Sequence, residues 1–115
     1  MKSSQKLQQI KISESQIQKA VIAFLSYRKD LYFFRAGSGT LQTERGSFFR
    51  TGKPGCPDIV ICFEGRFIGF EIKTQTGKQT LPQKETEKLI NVLGGKYFVI
   101  RSVDEAINAL ESLGG

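Results

Sequence analysis

The sequence predicts a mixed α/β fold: a central mixed sheet with helices on its faces. Three observations lead there. Apolar residues recur at helical spacing in three segments, the short runs between them are rich in aromatic and β-branched residues, and the order is α-β-β-β-α-β-α. Helices interleaved with strands in that order bury their apolar sides by covering a sheet.

Each element has a local cause. Ser13-Glu14-Ser15-Gln16 has the form of a capping box, and Ile17, Ala20, Val21, Phe24 and Leu25 then recur at helical spacing, which predicts a helix over about 14 to 29. Leu31 to Arg35 (LYFFR) reads as a strand. Residues 36 to 56 hold five glycines and few periodic apolar positions, which predicts a long loop around a short strand at Ser47 to Arg50. A loop of that length in a small domain is usually functional. Strands follow over 58 to 63 and 66 to 73, joined by a turn at Glu64-Gly65 or Gly65-Arg66. A second helix, 81 to 93, is capped by Thr80, ended by Gly94-Gly95, and presents Leu89, Ile90 and Leu93 as its apolar side. Tyr97 to Arg101 reads as a strand, and Ser102-Val103-Asp104-Glu105 opens a last helix that buries Val103, Ala106, Ile107, Leu110 and Leu113.

The totals bound the chemistry. At 115 residues the chain is expected to form a single domain over 1 to 115. There is no apolar run near the roughly 20 residues that span a bilayer, and MKSSQKLQQIKIS carries no apolar signal core, so a cytoplasmic location with Cys56 and Cys62 as free thiols is expected. The 17 basic and 11 acidic residues give a net charge of +6, suited to a polyanionic partner. Histidine is absent. That removes His-based triads and nucleases, and two cysteines cannot supply a zinc site, so any chemistry must rest on carboxylates, lysine and a hard metal ion. The glycine-rich loop fits neither GxxxxGK[ST], since Gly46 to Gly52 is one residue too long, nor GxGxxG after Gly37-Ser38-Gly39; neither ATP nor NAD is expected.

The segment PDIVICFEGRFIGFEIK, Pro57 to Lys73, places Asp58, Glu71 and Lys73 in strands among Ile, Val and Phe. Strand residues alternate between faces, so Glu71 and Lys73 share one face while Phe70 and Ile72 take the other. With Glu64 and Gly65 at the turn, Asp58 lies across from Glu71; with Gly65 and Arg66 there, it faces Lys73. Either turn gathers the three charges on one patch, and a three-residue turn would separate them. Two carboxylates about 4 Å apart repel by roughly 4 kcal/mol at an effective dielectric near 20, which a lysine offsets in part and a divalent cation offsets further. All-oxygen ligation suits Mg²⁺ or Mn²⁺. The plainer alternative is a structural salt bridge between Lys73 and one acid. Glu14 continues the apolar stripe of the first helix and is placed to reach the same patch, although an acid in a first turn is favoured by the helix dipole in any case. Gln83, at N3 of the Thr80 capping box, is either a cap or a member of the site.

Glu14, then Gly55-Cys56-Pro57-Asp58, then Glu71-Ile72-Lys73, then Gln83, with FRTGKPG ahead of Asp58 and a hairpin between Asp58 and Glu71, resemble the PD-(D/E)XK nuclease superfamily. Within it they resemble the VRR-NUC (virus-type replication-repair nuclease) domain, over about 10 to 101. The resemblance implies a restriction-endonuclease-like fold and metal-dependent hydrolysis of a DNA phosphodiester. It makes Asp58, Glu71 and the backbone carbonyl of Ile72 ligands of Mg²⁺ or Mn²⁺, with Glu14 directly or through water. Lys73 would orient or help deprotonate the attacking water, and Gln83 would support the site. Stand-alone members resemble Holliday-junction resolvases, which implies branched DNA as substrate and a homodimer in the cytoplasm of a bacterial or phage-infected cell.

On that reading Arg35, Arg45, Arg50 and Lys53 are candidate contacts to the DNA backbone, positioning the substrate without reading its sequence. Phe48 and Phe49 are candidates to pack in the dimer or beneath the site, with an ordinary core position expected ahead of base stacking. Two rivals stand beside it: a noncatalytic basic DNA-binding module, and a monomeric nicking or flap nuclease of the same fold.

Overall fold

A computed structural model describes residues 11–36, 40–42, 44, 48–50 and 53–114; at 40–42 and 48–50 it describes the strand backbone. Helix α1, Glu14–Tyr27, starts at a complete capping box: the Gln16 N–H donates to Ser13 Oγ at 3.1 Å and the Ser13 N–H donates to Gln16 Oε1 at 2.9 Å. It stops two residues short of the expected end because Arg28 turns to an extended conformation. There its guanidinium binds Asp30 at 2.6 Å and lies over the rings of Phe24 and Phe63. Strand β1, Leu31–Arg35, follows.

β2, Thr40–Gln42, and β3, Phe48–Arg50, pair antiparallel as a separate two-stranded ribbon. The sequence predicts the second of these strands and misses the first, whose three residues are too few to establish a period. β4, Ile59–Phe63, and β5, Arg66–Ile72, form the expected hairpin. Then come α2, Leu81–Val92, β6, Lys96–Ile100, and α3, Val103–Ser112. The main sheet has the order β1-β4-β5-β6, antiparallel across the first two pairings and parallel across the last. It is therefore a mixed α/β sheet with three helices in the expected order. The parallel pair needs a crossover, and α2 supplies it.

Strand alternation divides the residues between two faces. Ile59, Ile61, Phe63, Ile68, Phe70, Ile72 and Ile100 form the buried face, closed by Ile17, Val21 and Leu25 of α1 and by Ala106, Ala109 and Leu110 of α3. Burying each large side chain of this set stabilises the fold by about 1.5–3 kcal/mol. Val103, Ile107 and Leu113 lie at its margin, half-buried, and Ala109 takes a fully buried place the periodicity did not assign to it.

α2 corrects a second expectation, because it buries no residue and leaves Leu89 and Leu93 exposed. Ile90 alone of the expected three turns inward, fitting closely against Gly95, where an added Cβ would lie 2.9 Å from Ile90 Cγ2. The helix is held at its polar N-terminal end instead. Among the described residues no helix is long and apolar enough to cross a membrane.

Candidate active site

The β4–β5 turn decides which charges meet. Glu64 and Gly65 both have positive φ, 52° and 77°, as a two-residue primed turn requires, and Phe63 pairs with Arg66. Continuing that register one step past Ile59 and Phe70 puts Asp58 across from Glu71. Asp58 still belongs to the sheet, since its carbonyl accepts the Ala36 N–H at 2.9 Å.

Its carboxylate is fixed from the neighbouring strand: the Ile72 N–H donates to Asp58 Oδ2 at 2.7 Å. In an extended strand the N–H and C=O of one residue point to the same side. The Ile72 carbonyl therefore also faces β4, beside the Asp58 carboxylate. The Lys73 N–H points the other way and donates to the Ile100 carbonyl at 3.0 Å.

Glu71 is the centre of the cluster and is only 4% exposed. Gln83 Nε2 donates to its Oε2 at 2.7 Å, Lys73 Nζ stands 3.9 Å from the same oxygen, and the Tyr97 hydroxyl donates to Oε1 at 3.2 Å. Burial, and then the charge of Asp58, push the Glu71 carboxyl up to about 8; Lys73 and the Tyr97 hydrogen bond oppose this without prevailing. Burial and Glu71 also push the Tyr97 phenol well above its ordinary range, which keeps it a donor.

Gln83 plays both of the parts between which the sequence left a choice. Its Oε1 accepts the Thr80 N–H at 2.8 Å and so caps α2, while its Nε2 holds Glu71. The approach of α2 to the site depends on glycine. A Cβ on Gly55 would lie 2.3 Å from the Pro82 carbonyl oxygen, and one on Gly69 would lie 2.7 Å from Pro57 Cγ. The Gly55-to-Asp58 segment is thereby wedged between β5 and the first turn of α2, which fixes Asp58 relative to Gln83.

Glu14 is exposed in the first turn of α1 and makes no hydrogen bond or ion pair with this cluster. Among the described residues no group of three or more His, Cys, Asp and Glu side chains comes together. A cation here would thus draw on two carboxylates, the Ile72 carbonyl and water. Such an all-oxygen donor set fits Mg²⁺ or Mn²⁺, which retain waters.

Arg35 is exposed but pairs with Ile59, and so sits on the sheet face opposite Asp58. Lys53 is exposed at the turn leading to Asp58, its carbonyl accepting the Cys56 N–H at 3.0 Å. Arg45 lies outside the described residues, as do the side chains of Arg50, Phe48 and Phe49. Cys56 and Cys62 are free thiols. Tyr97 is the one member of the cluster that the sequence reading missed. Its usable signal was a tyrosine in a buried strand, whose hydroxyl needs a partner.

Compared with known proteins, the chain matches no family model, and no curated protein is significantly similar to it.

Proposed function

We propose that the protein is a metal-dependent DNA endonuclease of the PD-(D/E)XK type, similar to VRR-NUC domains. It would cut phosphodiester bonds in branched DNA as a structure-selective, Holliday-junction resolvase-like homodimer in the cytoplasm. One observation carries this reading: Asp58, Glu71 and Lys73 converge on one sheet face, with the Ile72 carbonyl on the Asp58 side. The net charge of +6 supports a polyanionic substrate.

Asp58, Glu71 and the Ile72 carbonyl are the residues that would hold Mg²⁺ or Mn²⁺, with Glu14 directly or through water. Such an ion, when bound, polarises a phosphoryl oxygen and acidifies a coordinated water, which stands in for the histidine base this chain lacks. Lys73 orients the attacking water and shields charge between Glu71 and the phosphate. Gln83 and Tyr97 hold the Glu71 carboxylate from its two oxygens, and the Ile72 N–H holds that of Asp58.

The test is cleavage of a four-way junction, flaps and plain duplex with Mg²⁺ or Mn²⁺, beside Asp58→Ala, Glu71→Ala and Lys73→Ala. Junction cutting that each substitution abolishes, with folding retained, is the expected result. Full activity of Asp58→Ala in EDTA would sink the metal mechanism.

A second reading, a noncatalytic DNA-binding module, draws on the fact that both Glu71 oxygens already have protein partners. It requires salt-dependent binding without cleavage and no heat of Mn²⁺ binding in a calorimetric titration.

A further inference from the structure

Arg101 has no part in the site described above, yet it is tied to the segment that leaves it. It follows Ile100, whose carbonyl accepts the Lys73 N–H at 3.0 Å. Its guanidinium Nη1 donates to two carbonyls, those of Thr74 and, at 2.8 Å, Gly77. The Gly77 N–H donates to the same Thr74 carbonyl at 3.2 Å, and Gln75 Nε2 reaches back to the Arg101 carbonyl at 3.4 Å. Together these bonds close residues 74–77 into a turn directly after Lys73. The turn lies against the lysine: a Cβ added at Gly77 would stand 3.4 Å from Lys73 Cδ and 3.3 Å from Thr74 Oγ1.

We infer that Arg101 is a positioning residue for Lys73: it pins the Thr74–Gly77 turn, which walls the lysine stem and directs the ammonium toward Glu71 Oε2. The catalytic consequence rests on the nuclease reading above; the structural one does not. Both bonds leave one guanidinium nitrogen, whose two N–H groups are fixed in the plane and point at the two carbonyls, whereas the three donors of a lysine ammonium rotate freely on a flexible stem. The backbone alone does not hold this turn, since its only internal bond is the one from Gly77 to Thr74.

Arg101 also lines a groove of about 570 Å³ with Lys11, Gln16, Thr74 and Thr76, so a direct phosphate contact is the competing role. The two roles separate in kinetics. Positioning acts on the transition state and lowers kcat, whereas a ground-state phosphate contact raises KM.

The experiment compares wild type, Arg101→Gln, Arg101→Lys and Gly77→Ala by steady-state cleavage of the preferred DNA substrate. Alongside it, the Lys73 Hε protons are followed by ¹³C-edited NMR on the metal-free protein, where a fixed lysine stem shows two inequivalent signals. Arg101→Gln is expected to lower kcat by about tenfold or more while KM stays within about twofold, and to merge the two Hε signals. Arg101→Lys should recover only part of kcat. If Arg101→Gln does not fold, Arg101→Lys decides, because it keeps a cation in the groove and loses the paired guanidinium bonds to the turn; Gly77→Ala, whose Cβ crowds Thr74 Oγ1 and only touches Lys73 Cδ, should lower kcat less, at constant KM. Unchanged kcat in the folded variants, or a raised KM at unchanged kcat, would overturn the assignment. If the wild-type protein cleaves nothing, the nuclease reading fails and the NMR comparison alone settles whether Arg101 fixes Lys73.

Discussion

Burial and the charge of Asp58 drive Glu71 up to about 8, against the pull of Lys73 and the Tyr97 hydroxyl. In the unfolded chain the same carboxyl titrates near 4.5. The folded state therefore holds its proton more tightly than the unfolded state does. The stabilisation this gives is complete below about 4.5 and is lost as the pH rises through about 8, a swing on the order of a few kcal/mol. Metal-free protein should accordingly melt at lower temperature at pH 8.5 than at pH 5.5, and Glu71→Gln should flatten that dependence. Mn²⁺ should raise the melting temperature more at pH 8.5, where the ionised carboxylate no longer has to release a proton to bind it. A wild-type melting temperature that climbs over this range without metal would contradict the placement of Glu71. Much of this site was legible in the sequence, because the alternation of a short hairpin fixes the faces of Asp58, Glu71 and Lys73 once the turn is known. Tyr97 was not, because it reaches Glu71 through the parallel pairing of β5 with β6, and nothing local encodes a pairing between strands separated by a helix.

The three helices and the main strands followed from caps, breakers and periodicity, and these signals are local. What α2 packs against is not local. Its apolar residues gave the pattern of a buried stripe, but the fold seats the helix by its first turn, where Gly55 meets Pro82 and Gln83 meets Glu71. Gly69 is the mark of this arrangement in the sequence: a glycine inside a strand signals close approach, here of the Pro57 ring. Three glycine substitutions distinguish the causes. Gly65→Ala meets nothing within 4 Å and should cost about 1 kcal/mol for its positive φ alone. Gly55→Ala combines φ +83° with a clash against the Pro82 backbone, and Gly69→Ala clashes with the Pro57 ring; both should cost more, about 2 kcal/mol or above. Gly55→Ala and Gly69→Ala should also depress cleavage beyond their loss of stability, since each separates Asp58 from Gln83. Denaturant unfolding beside activity checks this ordering, and equal costs at all three positions would refute the wedge.

The sheet is covered unequally. α1 and α3 close one face, while on the other α2 and Pro57 stand over the β5–β6 side. Register sets Tyr32, Cys62 and Phe67 in one row across β1, β4 and β5, and Phe34, Val60 and Gly69 in the next, all on the face that carries Asp58. Tyr32 is 70% exposed and Phe67 47% exposed, with Phe34 and Cys62 exposed beside them. Soluble monomers seldom leave contiguous apolar patches of this kind in water. The proposed homodimer has a use for it, since a two-fold contact joins one patch to its own copy. From Cys62 to Asp58 is four strand residues, about 13 Å, so such a contact would set both sites close to the interface. The sequence could not display this patch, because LYFFR and IVICF read equally well as core until the strand order leaves their outer face without a helix among the described residues. Sedimentation equilibrium should give wild type twice the mass of one chain at micromolar concentration. Tyr32→Asp combined with Phe67→Asp should give the mass of one chain, with unchanged far-ultraviolet circular dichroism and Mn²⁺ binding. That variant should still nick DNA, yet lose paired cutting of opposite strands in a four-way junction, because each active site then acts alone. A wild-type protein that sediments as one chain and cuts flaps in preference to junctions would instead make it a monomeric nuclease of the same fold.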